Sequence, residues 1–561
     1  VELHRHRTSV DATDPSAVEV HLRPDERGFR WRVANSGRAA VTVRSVVAVH
    51  TLGGLAGRLR VFCNGHQSRS ETSTQVLGVD VDPAAVPGAP LLEVHAHHSD
   101  PEGARADTLR SELVTVLLDD RAAVLAGFLG GDLHDGVLSV GPGQTGQELR
   151  VQAYLGDVVL RPGEERELHD VWVHPVQDPQ AGLAAWAQEC GRRSLARTRA
   201  PQQVGWCGGH HYGDHLGELE VRQNLAAVGG WPLDVFEIDA GYQAAVGDWL
   251  ATNERFPSGL ASLAAAVSSA GCRPGLWLAP FLVGADAVLA AEHPDWVARH
   301  LDGGPLTALY DSRWGGFVHA LDTSHPGVQD HLRALGAALV ELGFTYLKLG
   351  HTGAPGLPGA FHDPSMTPAQ RVRAGLDALR DGVGASTVLV GSGAPLGPSI
   401  GVVDAMRIGP DVAPWWSPRQ DLWGAPPYLG TIPATRNAWR NTMTRSFLHR
   451  RLWLNDPDCV LLRAEDDDEL SREQLRAWAL LVAASGGSVM VSDELGLLGP
   501  GARDLLEEVL RISRRVDAAA VQGDVPVCDD LFDQAVPGRL RGDGVRFEGD
   551  PDHGSARVVT F

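Results

Sequence analysis

Between Val204 and about Glu494 the chain carries eight short apolar runs, each followed by a helix-like segment, and this alternation constrains the fold more than any other feature. The runs are Val204–Cys207, Asp234–Asp239, Pro274–Ala279, Thr345–Gly350, Thr387–Ser392, Ala405–Gly409, Leu452–Asn455 and Ser488–Ser492. Strands buried on both faces read as continuous apolar runs, and crossover helices separate them when the sheet is parallel. Eight such units predict a (β/α)₈ TIM barrel over residues 200–495. The stretch between the third and fourth runs is long. Within it Tyr310-Asp-Ser-Arg-Trp-Gly-Gly-Phe-Val-His-Ala-Leu-Asp predicts an inserted loop or hairpin of the kind that shapes access to a site.

The flanking sequence follows other rules. Residues 1–190 hold period-two runs such as Val18-Glu-Val-His-Leu, Val41-Thr-Val-Arg-Ser-Val-Val and Leu149-Arg-Val-Gln-Ala-Tyr, separated by Pro, Gly and Asp turns. That pattern predicts an antiparallel β-sandwich, closed by an Ala- and Arg-rich helical stretch over residues 181–199. After residue 495 a helix-like stretch at Gly501–Arg515 precedes short strands near Gly544 and Ala556, which predicts a small β appendage over 496–561.

Charge and cysteine usage narrow the function. The formal net charge of −21 disfavours nucleic acid and anionic membranes as partners, because both require clustered cations. No apolar run reaches the roughly 18 residues of a membrane span, and the first residues are not followed by a signal-peptide core, so a cytoplasmic location is expected. Cys63, Cys190, Cys207, Cys272, Cys459 and Cys528 lack zinc-type spacing and read as reduced thiols, so neither metal nor other cofactor is expected. The chain has 15 tryptophans, and indole faces commonly cover the C–H faces of sugars.

Lys348 is the only lysine among 561 residues, and it lies in the apolar run Thr345-Tyr-Leu-Lys-Leu-Gly350. A compact ammonium is kept there where a guanidinium fork would not fit. In a barrel the site forms at the carboxyl ends of the strands. Those ends bring Trp206, Cys207, Asp239, Trp277, Lys348, Gly350, Ser392, Arg407, Asp411, Asn455, Asp456 and Asp458 to one mouth. Such an inventory suits an uncharged polyhydroxylated ligand. Glycoside cleavage needs two carboxyl groups across the scissile bond, and Asp411, just past a strand on a Gly-Pro turn, is the strongest acid candidate.

Asn64-Gly-His-Gln-Ser-Arg-Ser, Gly205-Trp-Cys, Ile238-Asp-Ala-Gly-Tyr-Gln, Gly247-Asp-Trp, Gly275-Leu-Trp-Leu-Ala-Pro-Phe, Tyr346-Leu-Lys, Arg407-Ile-Gly-Pro-Asp and Trp453-Leu-Asn-Asp-Pro-Asp-Cys together resemble glycoside hydrolase family 36. These are the melibiase-type α-galactosidases, to which raffinose synthases are related, and the resemblance covers roughly residues 60–495. It implies an N-terminal β-supersandwich, a barrel and a C-terminal β domain, a double displacement on terminal α-linked galactose, and assembly into dimers or tetramers. Carried over by position, it makes Asp411 the general acid/base, Lys348 and Asp239 ligands of sugar hydroxyls and Arg407 a support for the acid. Trp206, Trp277 and Trp249 become pocket lining, with Ser392 where the family has cysteine.

Gly350, however, stands at the family's nucleophile position, so the carboxylate of the covalent route is absent. Ala240 replaces a second carboxylate, Gly208 and Gly209 replace bulkier residues, and Arg69 stands where tryptophan is usual. These changes suggest a wider, less acidic pocket with room for about one water at Gly350. Asp239, His210, His211 and His351 are the candidates for a base that would activate it. The reading is an α-galactosidase-like hydrolase or transglycosidase with an altered nucleophile site. The alternatives are a catalytically silent carbohydrate-binding relative, or an engineered nucleophile-less variant of an active enzyme.

Overall fold

The computed structural model describes residues 2–55, 57–82, 98–100, 103–144, 146–419, 429–463 and 469–561. Its centre is a parallel sheet whose strands, in spatial order, are Val204–Cys207, Val235–Ile238, Arg273–Leu278, Tyr346–Gly350, Val388–Ser392, Ala405–Arg407, Leu454–Asp456 and Val489–Val491. The seventh strand is broken. Leu454–Asp456 pairs with the sixth strand and Cys459–Val460 with the eighth, and between them lie Pro457 and Asp458. Proline cannot donate to a ladder, and Asp458 takes φ of +94°, so the chain steps sideways there and closes the barrel.

Helices pack outside, and their starts are written in the sequence. Pro368–Val383 begins with a capping box, in which the Thr367 hydroxyl accepts from the Gln370 N–H and the Gln370 side chain accepts from the Thr367 N–H. Arg472–Ser485 uses Ser471 and Gln474 in the same way and ends at Gly486 in the left-handed region. The fifth crossover contracts to one short turn, Leu396–Ser399.

Register partners in a parallel sheet share a face, so pairing tells which side chains enter the barrel. Val235, Tyr346, Val388, Val390, Ala405 and Leu454 form the packed floor. Above them Cys207 pairs with Glu237, Trp277 with Lys348, Gly350 with Ser392 and Arg407 with Asp456, so all of these point inward. Trp206 pairs with Phe236 on the outer face.

On the N-terminal side, a five-stranded and an eight-stranded antiparallel sheet enclose a Val- and Leu-rich core. The strands Val41–Gly53 and Gln147–Leu160 form the spine of the smaller sheet. A loop around Asn64–Ser70 leaves the larger sheet and docks on the barrel. Ser68 N–H donates to Ala394 O (2.9 Å), Leu396 N–H to His66 O (3.0 Å), and Arg445 donates to the carbonyls of Gly65, Gln67 and Ser68. The C-terminal part is the helix Pro500–Val521 and a four-stranded antiparallel sheet. The long insertion forms a three-stranded sheet from Leu282–Gly284, Thr307–Asp311 and Gly316–Ala320. Among the described residues, no helix is long and apolar enough to cross a membrane.

Candidate active site

Two buried cations organise the barrel mouth. Lys348 Nζ lies 3.3 Å from Glu237 Oε1, 3.6 Å from Asp239 Oδ2 and 3.8 Å from Cys207 Sγ. Burial opposes the ammonium, but these neighbours outweigh it and hold the lysine above its ordinary range. The ammonium reaches from the fourth strand to groups carried by the first and second, a compact point charge for which the broad guanidinium fork is no equivalent. Glu237 is the group that sequence reading missed. Desolvation pushes its carboxyl up to about 7 despite Lys348, whereas the more accessible Asp239, helped by Lys348, the Cys207 thiol and the Ala240 N–H, stays below the usual carboxylate range.

Arg407 serves the opposite wall. Its Nη1 contacts Asp458 Oδ2 at 2.7 Å and Asp411 Oδ1 at 3.1 Å, and its Nε reaches Asp456 Oδ2 at 3.3 Å. Asp411 also receives Arg69 from the docked N-terminal loop, at 3.4 Å. Burial would raise the Asp411 carboxyl, but Arg69 and Arg407 outweigh it and draw it below the ordinary value. His210 Nε2 lies 2.8 Å from Asp458 Oδ1, and its backbone N–H donates to Ser492 Oγ. Asp458 raises the imidazole pKa against the effect of burial, so this histidine favours the charged form and is a poor base.

The tryptophans divide. Trp277 lies at the mouth with its indole against Gly350: a Cβ placed on Gly350 would fall 2.3 Å from Cζ2 and 2.8 Å from Cε2 of that ring. The expected water-sized space beside Gly350 is therefore occupied by indole carbon. Trp249 packs behind Trp277 at 6.0 Å and is buried. Trp206 does not line the pocket, because strand alternation turns it outward, where it stacks on Phe236 at 4.2 Å and donates to Asp493 O. Trp314, at the tip of the inserted hairpin, extends the Trp277 wall at 5.8 Å.

The pocket is also not widened by its glycines. A Cβ on Gly209 would meet Asp239 Oδ2 at 2.4 Å, and one on Gly208 would meet Leu216 at 2.8 Å, so both glycines permit close packing. Ser392 is buried beside Gly350, and its hydroxyl meets no hydrogen-bonding partner among the described residues. His351 follows with φ of +52° and donates its N–H to Ser392 O. Two groups, His210 with Asp458 and Cys459, and Cys207 with Glu237 and Asp239, have ligand types that could hold a metal. Arg407 and Lys348 already stand against their carboxylates as the neutralising cations.

Comparison with known proteins points in one direction. Residues 230–353 match the Melibiase family model. A 157-residue segment is 31% identical to alpha-galactosidase 2 of Pediococcus pentosaceus, covering 27% of this chain and 20% of that protein. A 130-residue segment is 30% identical to the alpha-galactosidase of Escherichia coli, covering 22% of this chain and 17% of that protein. The matched segments thus span a fifth or less of these curated relatives. Among solved structures, the alpha-galactosidase TtGalA from Thermus thermophilus, in complex with p-nitrophenyl alpha-D-galactopyranoside, superposes with a TM-score of 0.70 at 26% identity, covering 96% of this chain and 99% of that one. The GH36 alpha-galactosidase AgaA from Geobacillus stearothermophilus gives a TM-score of 0.63 at 14% identity, covering 99% and 78%, and shares the fold.

Proposed function

Because the chain belongs to the melibiase-type α-galactosidases of glycoside hydrolase family 36, we propose that it binds a terminal α-linked sugar of a glycoside or oligosaccharide and cleaves it without a glycosyl–enzyme intermediate. The observation that carries this reading is Gly350 beneath the Trp277 indole. No carboxylate stands there to attack, and water entering on the Asp239 side attacks instead. Water forms the new bond to the anomeric carbon as the bond to the leaving oxygen breaks. Asp239, ionised and reachable, takes the proton of the attacking water. Asp411, at the opposite wall, delivers a proton to the leaving oxygen once the incoming substrate has displaced Arg69 from it. Solvent then exchanges the two protons and restores both groups. Lys348 binds hydroxyls and Trp277 covers a C–H face.

The test is hydrolysis of p-nitrophenyl α-D-galactopyranoside followed by proton NMR. The expected first product is β-galactose, since one displacement inverts the anomeric centre. Appearance of α-galactose first would refute the scheme. A second reading, a silent sugar-binding relative, is favoured by one contact: two arginines hold Asp411 as a carboxylate, which disfavours proton donation. Sugar binding with no turnover, with or without ~1 M azide or formate, would select it.

A further inference from the structure

Arg69 is fixed at its backbone and loose at its head. The loop that carries it is pinned where the fifth barrel strand ends: Gly393 N–H donates to Ser68 Oγ at 2.7 Å, and Arg69 N–H donates to Gln67 Oε1 at 3.1 Å. Lys348 and Arg407 each serve two or more carboxylates, whereas among the described residues Arg69 meets only that of Asp411, at 3.4 Å. Charge-assisted hydrogen bonds of this kind run to about 2.7–2.9 Å, so the Arg69 contact is a weak one. The Arg69 side chain is 22% exposed and that of Arg407 2%, which makes Arg69 the guanidinium that a ligand in the mouth can reach. Its Nε is buried without a partner among the described residues and lies 4.0 Å from where a Cβ on Gly393 would stand. The preceding residue, Ser392, adds a second buried donor without a partner among them, its hydroxyl turned into the barrel by strand register.

The proposed reaction needs Asp411 protonated, and a protonated Asp411 leaves Arg69 without its anion. A neutral sugar offers the guanidinium only hydroxyls, so drawing Arg69 away would cost an ion pair. An anionic group on the substrate removes that cost, because it accepts the guanidinium fork as the carboxylate did. With Arg69 drawn off, burial opposes Arg407 alone, and the Asp411 carboxyl moves up and takes a proton from solvent.

We propose that Arg69 selects substrates bearing an anionic group, a carboxylate, sulfate or phosphate, beside the scissile bond, and that this group frees Asp411 to act as the acid by taking Arg69 from it. The inference deepens the proposed function and rests on its assignment of Asp411. Calorimetric titration with two matched pairs tests it, with ligand integrity checked by chromatography. Methyl α-D-galactopyranoside against methyl α-D-galactopyranosiduronate places the charge on the sugar, and 3-carbamoylphenyl against 3-carboxyphenyl α-D-galactopyranoside places it on the leaving group. In one pair the anionic member is expected to bind roughly 10-fold more tightly, and which pair shows it tells the side of the scissile bond that carries the charge. The preference should vanish in Arg69→Gln, return in part in Arg69→Lys, and shrink as salt rises from about 0.05 M to about 0.5 M. Should Arg69→Gln lose its thermal midpoint, Arg69→Lys and the salt dependence decide. Anionic members that bind no better than their neutral twins in both pairs overturn the inference and leave a pocket for neutral glycosides standing. A preference that Arg69→Gln retains belongs to another cation and overturns it as well. Binding of none of the four ligands removes the pocket reading and the inference with it.

Discussion

Restoring a carboxylate at residue 350 should not restore a retaining enzyme. In Gly350→Asp the new Cβ would lie 2.3 Å from Cζ2 of Trp277, more than 1 Å inside an ordinary contact. The ring cannot simply rotate away, because Trp249, Trp314 and His351 pack around it at centroid distances of 6.0, 5.8 and 6.3 Å. Overpacking of this kind costs about 1–3 kcal/mol, and here it adds a carboxylate to a mouth that already holds Glu237, Asp239, Asp411, Asp456 and Asp458. The expected result is a lower denaturation midpoint, altered tryptophan fluorescence and no gain in aryl α-galactoside hydrolysis. Trp277→Gly in the same chain should relieve the overlap, so the two substitutions together should cost less stability than the sum of the two made singly. A Gly350→Asp protein as stable as its parent, with unchanged fluorescence and brisk release of α-galactose, would refute the reasoning.

Lys348→Met should destabilise the fold by about 3–5 kcal/mol in chemical denaturation and abolish galactose binding, since it leaves Glu237 and Asp239 buried without their cation. Glu237→Gln tests the raised carboxyl. A group near 4.5 when unfolded and held up to about 7 when folded binds more protons in the native state between those values, so its contribution to stability is lost as pH rises through that window. The Gln variant should therefore gain stability relative to its parent from pH 5 to pH 8, by at most about 3 kcal/mol, read as the difference in denaturation free energy. Arg69→Ala removes one of the two cations that depress Asp411, so its carboxyl should rise. The alkaline limb of the pH–rate profile, which requires that carboxyl protonated, should then move to higher pH.

Much of the barrel was legible in the chain, because strands buried on both faces leave unbroken apolar runs. All eight runs overlap strands, and Arg407 meets Asp411, the pairing that the family resemblance implied, through a contact only four residues apart. What escaped depends on direction and long-range register. Glu237 was hidden inside Val-Phe-Glu-Ile, where one polar letter among apolar ones does not say which face it takes. Trp206 was assigned to the pocket because it ends a strand, but pairing with Phe236 turns it outward. His210, just after the first strand, and Asp458, in the break of the seventh, meet on the same side of the barrel although 248 residues apart, and nothing local announces the pair. The occupation of the space at Gly350 by Trp277 is likewise a choice of rotamer and packing, set by Trp249 and the inserted hairpin.

The loop that delivers Arg69 also sets a clock. Its carbonyls at Gly65, Gln67 and Ser68 are met by the guanidinium of Arg445, 377 residues later for the Ser68 contact. At roughly 5–20 residues per second of synthesis, that partner emerges from the ribosome about 20–75 s after the loop does. For that interval the N-terminal sheets can close on their own core, but the loop's carbonyls lack the guanidinium that gathers them at the barrel mouth. The catalytic-type site is consequently among the last parts of the molecule to be assembled, and a nascent chain arrested before Arg445 would carry folded sheets and an unfinished mouth.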